Sequence, residues 1–133
     1  MPFTIKCEFY EDITMKTILV VDDDKYHLLL YEQELSLEGY RIITAKDGLE
    51  AIKRVKEQLP DLIVMDINIP KMNGIEAMGK ILGEHKRIPI IIHTAYSNYI
   101  DNFMSWAADA YIVKSSDLNE LKNKIKELLG KIE

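Results

Sequence analysis

The feature that most constrains this chain is an alternation that starts at Lys16 and continues to the end. Five short apolar runs, TILVV (17–21), RIIT (41–44), DLIVM (61–65), IPIII (88–92) and AYIVK (110–114), are separated by stretches of helical periodicity. Most runs are apolar without polar alternation, as expected of strands buried on both faces of a parallel sheet. Between them, Leu28, Tyr31 and Leu35 mark a helix that Gly39 ends, and Leu49, Ile52, Val55 and Leu59 mark a second. Asp47 and Glu50 have capping-box spacing at the start of that second helix. Ile75, Met78, Ile81 and Leu82 mark a third. Leu118, Leu121, Ile125, Leu128 and Leu129 mark the last, with Asp117 and Glu120 as its capping box and Gly130 at its end. The segment from Thr94 to Asp109 carries a poor pattern, with Phe103 and Trp106 as anchors of a short helix. Strand then helix, five times over, predicts an α/β, doubly wound, five-stranded parallel sheet with right-handed crossovers.

Composition narrows the partners. A chain of 133 residues fits one domain with a real core. Its 17 basic and 22 acidic residues give a net charge of −5, and the basic ones are scattered. This argues against direct nucleic-acid or anionic-membrane binding, which needs a basic stripe. Cys7 is the only cysteine, so no internal disulfide framework or thiolate metal cluster is expected. No apolar run approaches the ~18 residues of a membrane span. The opening MPFTIKCEFYEDITMK has three acids where a signal peptide needs an uncharged apolar segment. The expected compartment is the cytoplasm.

In a sheet of this kind, ligands bind beyond the carboxyl ends of the strands. The first run ends in Asp22, Asp23 and Asp24, and the third in Asp66, within LIVMDINIPKMNG. The fourth reaches Thr94, within IIIHTAY, and the fifth ends in Lys114, within AYIVKSSD. Carboxylates at that density suit a hard cation that keeps several waters, which points to Mg²⁺. The ammonium and the hydroxyl add positive charge and a donor, the requirements of phosphoryl transfer. A carboxylate can itself be the nucleophile, forming an aspartyl phosphate.

These motifs (DD after the first strand, DINIPKMNG, HTA and YIVK) fall in order on the expected strand ends. From about Met15 onward the chain resembles the response-regulator receiver domain of two-component signalling, including its stand-alone members. The resemblance implies a flavodoxin-like (βα)5 fold with strand order 2-1-3-4-5, in a receiver domain spanning residues 15–133. It implies that Asp66 accepts phosphate from a phosphohistidine on a sensor histidine kinase or a histidine phosphotransfer protein. Asp23 and Asp66 would bind Mg²⁺ directly, with the main-chain carbonyl of Asn68, and Asp22 would act through water. Thr94 and Lys114 would contact the phosphoryl group, and Tyr111 matches the aromatic switch residue. Asp24 is left as the cap of the first helix. Such a domain is a phosphoacceptor with at most slow self-dephosphorylation, not an enzyme, and its output would pass by protein–protein contact to an unidentified partner.

Two departures from the family pattern stand out. Ser115 follows Lys114, where the family usually has a proline joined by a cis bond. The cis form of an ordinary peptide bond costs roughly 2.5–4 kcal/mol, so a trans Lys114–Ser115 bond is expected. The spacing from Thr94 to Lys114 is also short, which alters the fourth helix. The alternative, a phosphorylation-independent pseudo-receiver acting as a binding module, would lack an acid, the threonine or the lysine, and none is missing. A phosphatase of the haloacid-dehalogenase type would want Asp where Asn68 stands, and no phosphate-binding G-x-x-x-x-G-K-[ST] loop is present. His27, His85 and His93 have no metal-ligand spacing and read as ordinary solvated or packed histidines, with His93 near the site's edge. Tyr96, beside Ala95, is expected to cover the water's approach and slow hydrolysis. Residues 1–14 form an extension: FTIKCEFY alternates with period two, predicting a strand at 3–9 that extends the sheet or joins two chains as a homodimer.

Overall fold

The structure, a computed structural model, describes residues 15–95, 107–115 and 117–132. Five strands, β1 (Thr17–Val21), β2 (Arg41–Ala45), β3 (Leu62–Met65), β4 (Ile90–Thr94) and β5 (Ala110–Val113), form one all-parallel sheet in the order β2-β1-β3-β4-β5. Among the described residues four helices accompany them: α1 (Lys25–Leu37), α2 (Gly48–Glu57), α3 (Gly74–Glu84) and α4 (Asn119–Ile132). This is the doubly wound parallel sheet that the sequence pattern predicts, in the strand order of the flavodoxin-like fold that the family resemblance implies. The expected strand at 3–9, the helix around Phe103 and Trp106, and Tyr96 lie outside the described residues.

The uniform apolarity of the central runs has a direct cause. Successive strand residues point to opposite faces, and both faces are covered. Leu19, Val21, Ile63, Met65, Ile90 and Ile92 pack on one side with Ala51 and Val55 of α2 and Ala77, Met78 and Ile81 of α3. Ile18, Val20, Leu62, Val64, Ile91 and Ile112 pack on the other with Tyr31 and Leu35 of α1 and Leu121, Ile125 and Leu128 of α4. Every residue of β1, β3 and β4 is buried, whereas the edge strands β2 and β5 are partly exposed. At the amino ends of the strands, Asp61 accepts the Thr17 amide at 2.7 Å and Asp109 the Ile90 amide at 2.9 Å. Both carboxylates satisfy donors that start a strand.

Side chains set the helix starts. Asp24 caps α1, accepting from the Tyr26 and His27 amides at 2.8 and 3.4 Å. Asp47 caps α2 through the Glu50 amide, and Asn73 caps α3 through the Glu76 amide. The reciprocal half of the box at α2 is displaced by one residue, since Glu50 accepts from the Lys46 amide and not from Asp47. Asp117 accepts from the Asn119 amide at the start of α4. Gly39 ends the α1 connection with φ of 98°, a conformation open to glycine at little cost. Gly130, expected to terminate the last helix, lies inside α4, which runs on to Ile132. Glycine favours a helix end only where the backbone turns left-handed, and among the described glycines only Gly39 has a positive φ. Leu49 and Leu59, expected on the inner face of α2, are exposed, Leu59 lying beyond the helix end.

One glycine fixes the loop that matters most. The loop after β3 folds back so that the Gly74 amide donates to the Ile67 carbonyl at 2.8 Å. A Cβ on Gly74 would run into the Asp66 carbonyl oxygen and the Ile67 Cα. Both obstacles are backbone, so neither can rotate away. Gly74→Ala is therefore expected to lower stability by about 1–3 kcal/mol through forced displacement, measured as a lower urea midpoint.

The layer beneath α1 contains one polar pair, Tyr31 and His93, each 3% exposed, with Tyr31 Oη and His93 Nδ1 sharing a hydrogen bond at 2.6 Å. Burial, aided by the Lys114 and His27 charges and opposed by Asp22, holds the His93 imidazole down at about 4, against an ordinary value of 6.5. Between those values the unfolded chain takes up a proton that the folded chain refuses. The contribution is whole above pH 6.5 and is lost as pH falls toward 4. At about 1.4 kcal/mol per unit, the full loss is about 3 kcal/mol. Urea unfolding at pH 7 and pH 5 is expected to show this decline, with a shallower slope in His93→Gln.

Candidate functional site

The site forms where the chain leaves β1 for β2 on one side while β3 lies on the other. This reversal opens a crevice at the carboxyl ends of the strands. The residues just past the strands remain in register. The Asp22 amide donates to Ala45 O, the Asp66 amide to Val21 O, and the Lys114 amide to Thr94 O, at 3.0, 3.0 and 2.8 Å. The ladder thus extends one residue beyond each strand and aims the Asp22, Asp66 and Lys114 side chains from a rigid base.

Lys114 Nζ donates to Asp22 Oδ2 at 2.6 Å and to Asp66 Oδ2 at 2.9 Å. Asp22 is 1% exposed and Asp66 7%. Burial pulls the Lys114 ammonium down, but the hydrogen bonds and charges of Asp22 and Asp66 outweigh it and hold it above its ordinary value. The ammonium therefore stays charged and bridges two carboxylates that would otherwise repel each other in a poorly solvated place.

Asp22, Asp23 and Asp66 each offer an oxygen, and these oxygens lie within 4.8 Å of one another. Asp23 is exposed, so the group opens to solvent on one side. Oxygen-only ligands of high negative charge with an open side suit a hard cation that retains water, so the residues present fit Mg²⁺. Asn68 is exposed, and its amide donates to Asp66 Oδ1 at 3.3 Å. Thr94 is fully buried at the end of β4. Tyr111, on β5, is half-buried and packs against the sheet face shared with α2 and α3. Of the residues expected at the strand ends, Asp22, Asp23, Asp66 and Lys114 converge; Thr94 ends the neighbouring strand, its carbonyl accepting from the Lys114 amide, and Tyr111 packs on the face shared with α2 and α3. Asp24 stands apart as the helix cap, as expected, with its amide donating to Asp22 Oδ1 at 2.9 Å.

One neighbour escaped the sequence reading. His27, expected to be an ordinary solvated or packed histidine, puts Nδ1 3.2 Å from Lys114 Nζ and 3.3 Å from Asp22 Oδ2. The signal was available in principle: His27 lies three residues after Asp24, on the first turn of a capped helix that starts at the site. Among the described residues no peptide bond is cis. The Lys114–Ser115 bond is thus trans, as the absence of proline predicts.

The sequence profile of the response regulator receiver domain matches residues 18–126. Among solved structures, the chain is similar to the response regulator TrrA of Thermotoga maritima in complex with Mg²⁺–BeF. That match has 46% identity and a TM-score of 0.83, and covers 86% of this chain and 99% of the other. A crystal structure of the histidine kinase ThkA in complex with TrrA matches at 47% identity, with a TM-score of 0.81 and the same coverage. Among curated proteins, the chain is 36% identical over 120 residues to the alkaline phosphatase synthesis transcriptional regulatory protein PhoP of Bacillus subtilis. It is also 36% identical over 119 residues to the transcriptional regulatory protein PrrA of Mycobacterium tuberculosis. The matches cover 89% and 88% of this chain but 50% and 51% of those proteins, so the chain spans about half their length. Profile, relatives and sheet order agree: the chain belongs to the response regulator receiver domain family.

Proposed function

We propose that this receiver domain is a phosphoacceptor in which Asp66 takes a phosphoryl group from a phosphohistidine on a sensor histidine kinase or histidine phosphotransfer protein. The observation that carries this reading is the Lys114 bridge between Asp22 and Asp66, with a third carboxylate in reach of both. Asp22, Asp23, Asp66 and the Asn68 carbonyl would hold Mg²⁺, which supplies charge neutralisation for the incoming group. The chain's own residues do the rest. A carboxylate oxygen of Asp66 forms the new bond to phosphorus as the bond to the donor imidazole breaks. Lys114 and Thr94 meet the phosphoryl oxygens, and Tyr111 responds on the far side of β4 and β5. Positioning and charge neutralisation are what phosphoryl transfer chiefly requires. Hydrolysis of the phosphoryl group by the domain alone is slow, and output passes by protein–protein contact.

The approach to the site supports a protein donor. Helix α1 starts at its rim, and Tyr26, Leu29, Leu30 and Leu37 are exposed, Leu37 by 82%. Tyr26, Leu29 and Leu30 are three and four residues apart and share one side of the helix, with Leu37 two turns further on, and exposed apolar side chains grouped at a site's rim suit a protein contact. The related TrrA has been crystallised in complex with the histidine kinase ThkA and, separately, with Mg²⁺–BeF.

Incubation with acetyl phosphate and Mg²⁺ is expected to add one phosphoryl group per chain, read by intact mass. Asp66→Asn removes the nucleophile and is expected to abolish labelling; labelling at the wild-type rate would refute the assignment. Lys114→Ala leaves two buried carboxylates unbridged and is expected to slow labelling about tenfold or more, equivalent to about 1.4 kcal/mol of barrier. Chelating Mg²⁺ is expected to stop labelling in every variant.

A further inference from the structure

The inner side of α1 touches the carboxyl ends of three strands, β1, β5 and β4, at two points one helical turn apart. At the first, His27 reaches Lys114 and Asp22. At the second, Tyr31 Oη meets His93 Nδ1 at 2.6 Å, with the rings edge to face at 65° and 5.6 Å between centroids. The sheet face on which this contact lies is otherwise lined with aliphatic residues, among them Val20, Leu35, Val64, Ile91 and Ile112. An apolar pair of similar shape would avoid the desolvation of two polar groups, so packing alone does not call for a tyrosine and a histidine here. Both groups stay uncharged. Burial holds the imidazole down at about 4, and burial with the Asp22 and Asp66 charges pushes the Tyr31 hydroxyl well above its usual range.

His93 directly precedes Thr94. Successive strand residues face opposite ways, so His93 points toward α1 while Thr94 points to the other side of β4. A turn of this strand end that moves the Thr94 hydroxyl must move the His93 ring in the opposite sense, against Tyr31. We propose that Tyr31 and His93 are positioning residues for the phosphoacceptor site: their hydrogen bond clamps the end of β4 to α1 and sets where Thr94 meets the phosphoryl group. This rests on the phosphoacceptor reading above. The pair touches neither the phosphoryl group nor the metal. It acts through Thr94, and it gives α1 a second point of contact with the site besides His27.

The test uses the full chain and two readouts. In the wild type, the ring nitrogen resonances of His93 are followed by NMR while Mg²⁺ and beryllofluoride, a stand-in for the phosphoryl group, are added. They are expected to shift on saturation. In parallel, acetyl phosphate labelling is timed under conditions where each variant is fully folded by circular dichroism. Tyr31→Phe keeps the ring and removes only the hydroxyl, and is expected to slow labelling about threefold or more. His93→Leu is expected to behave alike, and His93→Gln, which keeps a hydrogen-bonding partner for Tyr31, to restore most of the rate. A purely structural role would lower the unfolding midpoint and leave both readouts unchanged. Silent His93 resonances, or Tyr31→Phe labelling at the wild-type rate, overturns the clamp while leaving the phosphoacceptor reading intact. A wild type that neither labels nor binds beryllofluoride overturns both.

Discussion

The site is organised by a single ammonium. Lys114 arrives from the edge strand β5, crosses the end of β4, and reaches Asp22 and Asp66 on the two central strands β1 and β3. Two carboxylates this deeply buried cannot share a crevice without a counter-charge, and separating either from its cation leaves an uncompensated buried ion. The bridge therefore couples the edge of the sheet to its centre by charge, where the strands themselves couple only to immediate neighbours. It also leaves the cluster short of neutrality, since Asp23 adds a further negative charge at the open side. A divalent cation would complete the balance, and a group bringing fresh negative charge would then find an ammonium already in place.

Much of this was legible in the sequence because the chemistry sits at positions that a parallel sheet makes predictable. Asp22, Asp66, Thr94 and Lys114 each end or follow an apolar run, and in such a sheet every run ends on the same side. No contact had to be known. What was illegible depended on contacts between remote segments. His27 is separated from Lys114 by 87 positions and Tyr31 from His93 by 62, and no local pattern announces either meeting. Tyr31 satisfied the apolar periodicity of α1, so its hydroxyl drew no notice. Leu59 fitted the periodicity of α2 and is exposed, because a match in spacing says nothing about where a helix stops; Leu49 fitted it too, yet it is exposed in the first turn of the helix. Gly130 misled for a related reason: glycine tolerates a left-handed turn without requiring one.

The two faces of the sheet differ in a way that suits the site. The layer beneath α2 and α3 is apolar and carries Tyr111 at its margin. The layer beneath α1 and α4 contains the buried Tyr31–His93 pair. Dispersion contacts tolerate small slides, whereas a short hydrogen bond between buried partners has one good geometry. The α1 side is therefore the more rigid reference. Movement at the end of β4 is more easily accommodated on the face that bears Tyr111.

The amide of Asp24 donates to Asp22, while the Asp24 carboxylate holds the first turn of α1. One residue thus ties the most buried acid of the site to the register of the helix beside it. With the register pinned at its origin, the inward and outward sides of α1 are independent surfaces. Tyr26, Leu29, Leu30 and Leu37 can be exchanged without rotating His27 or Tyr31 out of place. A lineage of such domains could redraw which protein each one recognises, residue by residue along the outer stripe, and inherit the same reactive centre every time.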